Sequence, residues 1–279
     1  MCRFQALETG KKRRAGMRKT VYMISAMLGA AGWVGAAAVT DHFESYTAGT
    51  SPAGQNGWTT ANVKTGGTTT QNALAVRTTG IDGKPTQAIH IKDDCPEGGI
   101  LQLGASFPVQ NSFQIQFDVK LNGHLQLPVL HLGGVHGLKY VQTGMTLALD
   151  GGKPLKFSYH DGAEWQQIAI RDDADNRLNE GAWYTIRLTA PALTGNKAAD
   201  TWSLTVKDAC GQIVVQETGL AFRSGLTALN TAIFQFNIDS SGGDMLIDNF
   251  SVVKPAPAPG EFFIVGAIGL PMVRQMITY

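Results

Sequence analysis

Across residues 112–120 the chain alternates without exception. Phe113, Ile115, Phe117 and Val119 fall on one side of an extended chain, and Gln114, Gln116, Asp118 and Lys120 on the other. A period of two predicts a strand with one face in a core and the other facing out. Residues 155–160, 201–207 and 232–238 repeat the pattern. Further strands are predicted over 58–65, 72–78, 86–92, 98–104, 127–132, 144–149, 164–171, 182–189 and 211–218. Asp82-Gly83, Asn122-Gly123, Asp150-Gly151-Gly152, Asp161-Gly162 and Ser241-Gly242-Gly243 supply turns between them. The best helical fragment is a short one within 172–181. One-faced strands joined by tight turns, with no long amphipathic helix, predict an all-β fold of two antiparallel sheets packed face to face. The length and strand count suit a jelly-roll sandwich better than a small immunoglobulin-like domain.

The ends of the chain read differently. Lys11-Lys12-Arg13-Arg14 and Arg18-Lys19 precede an apolar run from Val21 to Ala38 that closes on Gly35-Ala36-Ala37-Ala38. This is the order of a secretory signal peptide, expected over residues 1–38, with Met17 as an alternative start. That segment holds seven of the 23 Lys and Arg and one of the 22 Asp and Glu, so the remainder carries a formal net charge of −5. A mildly acidic exported domain over residues 39–253 excludes nucleic acid as an expected partner. Lys254-Pro255-Ala256-Pro257-Ala258-Pro259-Gly260 opens a stiff linker over 254–261. An apolar tail, 262–279, follows as an anchor or sorting element; its apolar run is short for a bilayer span and contains Pro271. Membrane association is expected only through the signal peptide or this tail. Cys95 and Cys210 remain after the signal segment, and in an oxidising compartment they could pair. The loop closed would stabilise the fold by about 4–5 kcal/mol through the unfolded chain, although spacing alone does not bring the two together.

Asp41-His42-Phe43-Glu44-Ser45-Tyr46-Thr47-Ala48-Gly49, then Gln55-Asn56-Gly57-Trp58, resembles the opening of secreted bacterial laminin-G-like, or concanavalin A-like, jelly-roll domains. Gly181-Ala182-Trp183-Tyr184-Thr185-Ile186-Arg187-Leu188 is similar to their central strand phrase, and Ile247-Asp248-Asn249-Phe250-Ser251-Val252 to their closing strand. The tail resembles the Pro-Glu-Pro-type (PEP-CTERM-like) sorting signal, although Pro-Glu-Pro itself is missing and only Arg274 follows the apolar run. The resemblance implies a protein exported to the surface or surroundings of a Gram-negative-type bacterium.

Within the closing phrase, period two puts Asp248 on one face with Leu246, Phe250 and Val252. A carboxylate on an apolar face is costly unless it is paired, hydrogen-bonded or metal-bound. The resemblance implies a structural calcium held by Asp248 with Asp41 or Glu44. The other reading is a carboxylate that accepts backbone N–H groups at a bend. For ligands, the polar strand faces offer Gln114, Gln116, Asp118, His131, Tyr140, His160 and Trp165, residue types that meet sugar hydroxyls and sugar-ring faces. Trp202 alternates with Leu204 and Val206 and is expected in the core.

An enzyme reading finds less. The Glu-x-Asp-x-x-Glu strand of laminarinase-like enzymes is missing. A polysaccharide lyase would draw on His90, His131, Tyr140 and Arg187, but Gln87-Ala88-Ile89-His90 is one residue longer than the Gln-x-His phrase of alginate-type lyases. No phosphate-cradling glycine loop, Gly-x-Ser-x-Gly elbow or zinc spacing occurs. The sequence therefore points to a non-catalytic module that binds a polysaccharide or envelope glycan or packs in the envelope. The alternatives are a lyase-like enzyme and a self-assembling surface protein.

Overall fold

The computed structural model describes residues 37–62, 73–92, 99–122, 129–134, 142–150, 156–168, 179–238 and 243–255. Among these residues there is no helix. Sheet A has eight strands. Seven run in the order β13 (Ile213–Ala221), β12 (Thr201–Asp208), β11 (Trp183–Ala190), β6 (Phe113–Asn122), β15 (Asp244–Val253), β4 (Pro85–Lys92) and β3 (Ala73–Thr79), and β1 (Ala37–Asp41) adds to β15. Sheet B has seven, in the order β10 (Trp165–Ile168), β9 (Lys156–His160), β8 (Gln142–Asp150), β7 (Val129–Gly134), β14 (Leu229–Ile238), β5 (Gly99–Gln110) and β2 (Trp58–Asn62). Every pairing is antiparallel. The chain changes sheet after β1, β2, β4, β5, β6, β10, β13 and β14, so hairpins alternate with crossovers. This is a jelly-roll sandwich of the concanavalin A-like class.

Alternation becomes burial as the sequence predicts. Phe113, Ile115 and Phe117 of β6 are fully buried, as are Ile186 and Leu188 of β11 and Leu204 and Val206 of β12. Sheet B answers with Leu101 and Leu103, Leu130 and Leu132, and Ala232 and Phe234. Trp202 is buried, as expected. Aromatic rings join the two sheets. Trp58 contacts Phe43, Phe234 and Phe250, and Phe234 also meets Phe117 edge-on. Such offset and edge contacts add about 0.5–1.5 kcal/mol per pair beyond the area buried.

The closing strand departs from simple alternation, and the expectation for Asp248 is corrected here. Met245 and Ile247 face the core, and so do Phe250 and Val252. The register shifts between Asp248 and Ser251, and Asn249 has φ 50°. One extra residue in the strand is a β-bulge, and it inverts the parity of everything beyond it. Leu246 and Asp248 therefore lie on the outer side of sheet A, and Asp248 does not share a face with Phe250 and Val252. Leu246 joins Ala88 and Trp183 in a small outer cluster, with Ile81 from the β3–β4 turn packed against it.

Candidate functional site

The phrase around Asp41 and Trp58 folds into a staple. Asp41 Oδ1 accepts the Phe43 N–H at 2.8 Å, while Oδ2 accepts the Tyr46 hydroxyl at 2.6 Å, the Trp58 indole N–H at 2.9 Å and the Asn56 amide at 3.4 Å. Phe43, at φ 57°, turns its ring into the core. Burial, followed by the hydrogen bond and charge of Asp41, pushes the Tyr46 phenol far above its ordinary pKa. Gly57, at φ 81°, lets this turn lie on β5, because a Cβ there would stand 2.9 Å from the Ser106 carbonyl oxygen. All of these partners are donors. The set suits a carboxylate.

Glu44 and Asp248 lie elsewhere, on the outer side of sheet A. The Thr86 hydroxyl stands between them, 2.7 Å from Glu44 Oε1 and 2.9 Å from Asp248 Oδ2. Asp248 Oδ1 accepts the Asn249 N–H at 2.7 Å. Of the carboxylates suggested as calcium ligands, Asp248 and Glu44 thus meet at one hydroxyl, while Asp41 is engaged in the staple. Among the described residues no group of three or more His, Cys, Asp or Glu is arranged to hold a metal ion.

Asp118 lies directly across from Asp248 in the ladder. Its oxygens accept from the Thr185 hydroxyl at 2.6 Å and the Asn249 amide at 2.7 Å, and the residue is buried. Burial raises its pKa against the pull of those two bonds. Gln116 Oε1 accepts two N–H groups of Arg187, and Gln114 sits half-buried in the same row. This row is engaged with its own sheet.

Sheet B presents a different outer face. Leu130 and Leu132 point inward, so His131 points out; Phe157 points inward, so His160 points out. Trp165 pairs with His160 across β10 and β9, and its ring meets the imidazole edge-on at 5.3 Å. Thr146 of β8 is opposite His131, while Leu147 is opposite Tyr159. The register thus sets Trp165, His160 and His131 in one cross-strand row of about 14 Å. The row continues to Ile233 and Gly104. Two residues along, Gln167, Ser158, Gln235 and Gln102 occupy the parallel row. Gln102 donates to Gln235 Oε1 at 2.8 Å, while its own buried Oε1 has no hydrogen-bond partner. Trp165 is 48% exposed. Burial, reinforced by the Arg223 charge, lowers the His131 pKa to about 4 and keeps the ring neutral at neutral pH.

The candidate ligand residues thus divide between two outer faces of the sandwich. Gln114, Gln116 and Asp118 belong to sheet A, and His131, His160 and Trp165 to sheet B, so no single groove takes both sets. Tyr140 lies outside the described residues. The lyase set divides in the same way: His90, paired with Asp244 at 3.2 Å, and Arg187 are on sheet A, while His131 is on sheet B. Sequence reasoning missed Gln102 and Gln235. Their signal is a lone amide flanked by apolar residues in Leu101-Gln102-Leu103 and Phe234-Gln235-Phe236. Cys210, in the β12–β13 turn, is disulfide-bonded, and Cys95 lies outside the described residues.

No protein-family model matches the chain, and no curated protein sequence matches it. Similar solved structures include the cellulose induced protein Cip1, at TM-score 0.48 and 13% identity, covering 80% of this chain and 100% of that one. Peanut lectin aligns at TM-score 0.46 and 10% identity, covering 78% of this chain and 97% of its own. The PL-14 alginate lyase from Aplysia kurodai aligns at TM-score 0.43 and 10% identity, covering 65% of this chain and 87% of its own. Likeness at this level carries no argument, and the fold rests on its own strand order.

Proposed function

We propose that this chain is an exported, non-catalytic β-sandwich module that binds glycan on the outer face of sheet B. One observation carries the reading: Trp165, His160 and His131 stand in a single cross-strand row, with the exposed indole at its end. An indole face takes the apolar side of a sugar ring, and neighbouring imidazoles and amides take its hydroxyls. The unpaired Gln102 Oε1 in the adjacent row supports the reading, since a buried acceptor without a donor needs an occupant or water. A neutral His131 can both donate and accept.

A catalytic set does not assemble, because His90 and Arg187 are on the opposite face from His131. Assembly by strand addition is disfavoured along β13, the outer strand of sheet A. Its ladder is broken by two register shifts, and Gly219 there has φ 71°. Such bulges blunt an edge against pairing with another chain.

The test is a glycan array probed with the full chain and with Trp165→Ala, with and without calcium. Binding by the wild type that falls about tenfold or more in the variant supports the proposal. No bound glycan, or equal binding by both proteins, sinks it.

A further inference from the structure

We propose that the ligand of sheet B is an anionic sugar chain, whose carboxylate or sulfate group is met by Arg223 and Lys197 at the Trp165 end of the row; this rests on the glycan reading of that face and adds the charge of its ligand. Gly162, in the turn between His160 and Trp165, brings both cations there. It has φ 97°, and a Cβ on it would collide with Lys197 Nζ and with the Arg223 carbonyl oxygen. A turn without a side chain thus lets the β11–β12 loop and the crossover from β13 to β14 close onto β9 and β10. Both Lys197 and Arg223 are exposed. The Arg223 charge also acts on His131, so it reaches the middle of the row as well as its end.

Among the described residues no ion pair involves Arg223 or Lys197. The two carboxylates of the same turn are engaged by the turn itself. Asp161 Oδ1 accepts the Ala163 N–H at 2.7 Å and the Glu164 N–H at 2.9 Å, and its Oδ2 accepts the Gln166 amide at 3.0 Å. Glu164 Oε1 accepts that same amide at 3.2 Å. These bonds, the Glu164 N–H first, lower the Asp161 pKa to about 2; the Lys197 charge adds to them without forming an ion pair. Arg223 faces a neutral imidazole at His131. A positive end is thus built into the row, and an anion from outside complements it.

The loops that carry the cations are fixed beforehand. The Gly195 N–H donates to the Leu226 carbonyl at 2.9 Å, and a Cβ on Gly225 would collide with the Gly195 carbonyl oxygen. Buried Asp200 accepts the Thr194 N–H at 2.8 Å, the Thr194 hydroxyl at 2.7 Å and the Gly195 N–H at 3.1 Å. Charges held in place before binding cost less ordering when the ligand arrives. A guanidinium meets a carboxylate or sulfate through two parallel N–H groups. The anionic group of a sugar stands at the edge of its ring, so it can reach Arg223 while the ring lies on the indole. Gln102 Oε1, on a side chain only 7% exposed, asks instead for a hydroxyl donor. It lies five strands from Trp165, about 24 Å away, which is the span of several sugars.

The experiment measures Kd of the full chain for two matched pairs: a uronate oligosaccharide with its carboxyl-reduced form, and a sulfated oligosaccharide with its desulfated form. In at least one pair the anionic member is expected to bind about tenfold more tightly than the neutral one, and that pair identifies the group. The double variant Arg223→Gln/Lys197→Gln is expected to bring the two members within about threefold of each other. Added salt is expected to weaken the anionic member and not the neutral one. Neutral members bound as tightly as the anionic ones would overturn the proposal and leave the glycan reading standing. An anionic preference unchanged in the double variant would also overturn it. Binding of no member of either pair would remove both.

Discussion

Replacing Asp41 by Ala removes the acceptor for three buried donors at once: the Phe43 N–H, the Tyr46 hydroxyl and the Trp58 indole N–H. Each buried donor left unsatisfied costs about 1–3 kcal/mol. The Tyr46 hydroxyl can turn toward the Gln55 carbonyl, 3.4 Å away, and Asn56 can turn to water. The backbone N–H and the indole N–H have no such freedom. The expected loss is about 3–5 kcal/mol, a fall in Tm of about 6–20 °C for a domain of this size. Asp41→Asn is the sharper variant. One amide oxygen still accepts, but the NH2 group faces the indole, which cannot accept, so an intermediate loss of about 2–3 kcal/mol is expected. Urea unfolding monitored by tryptophan fluorescence reads both, because Trp58 is itself the probe. A loss below about 1 kcal/mol in Asp41→Ala refutes the staple.

Gln102→Leu deletes the unpaired Oε1 but also the donor to Gln235 Oε1, so a loss of about 1–2 kcal/mol in urea stability is expected; a loss above about 3 kcal/mol would show that Gln102 Oε1 is paired as well. His131 has a folded-state pKa of about 4, below its unfolded value, so the unfolded chain binds more protons between those values. Its stabilising contribution is present above about pH 6.5 and is lost as pH falls to about 4, by about 3 kcal/mol. Asp248, whose pKa burial raises to about 6, has the opposite sign in much of this window, so the effect is read as the difference between wild type and His131→Gln across pH 4 to 7; parallel profiles would contradict it. Peptide mapping of the unreduced chain is expected to join Cys210 to Cys95, and reduction to cost about 4–5 kcal/mol; a different partner for Cys210 would remove that loop.

Much of the fold is legible in the sequence because β6, β11 and β12 keep strict parity over their whole length, and parity alone decides which side chains enter the core. β15 defeats the same logic. A bulge leaves no hydrophobic signature, and one residue at φ 50° exchanged the faces of Asp248 and Phe250. A non-glycine Asn beside an Asp that parity sends inward is the only local hint of it. The site is less legible for a different reason. His131, His160 and Trp165 are individually recognisable polar-face residues, but their shared row depends on strand register across four strands of sheet B. Register comes from turns and partners remote in sequence. Gln114, Gln116 and Asp118 look equally exposed in the sequence, yet Asn249, Thr185 and Arg187 occupy two of them.

The central claim is that glycan meets sheet B and not sheet A. Amide and side-chain NMR shifts of the full chain, titrated with a soluble oligosaccharide chosen from the array, locate the contact residue by residue. Shifts concentrated at His131, His160, Trp165 and Gln167, and lost in Trp165→Ala, are the predicted result. Shifts concentrated instead at Gln114, Gln116 and Arg187 would contradict it.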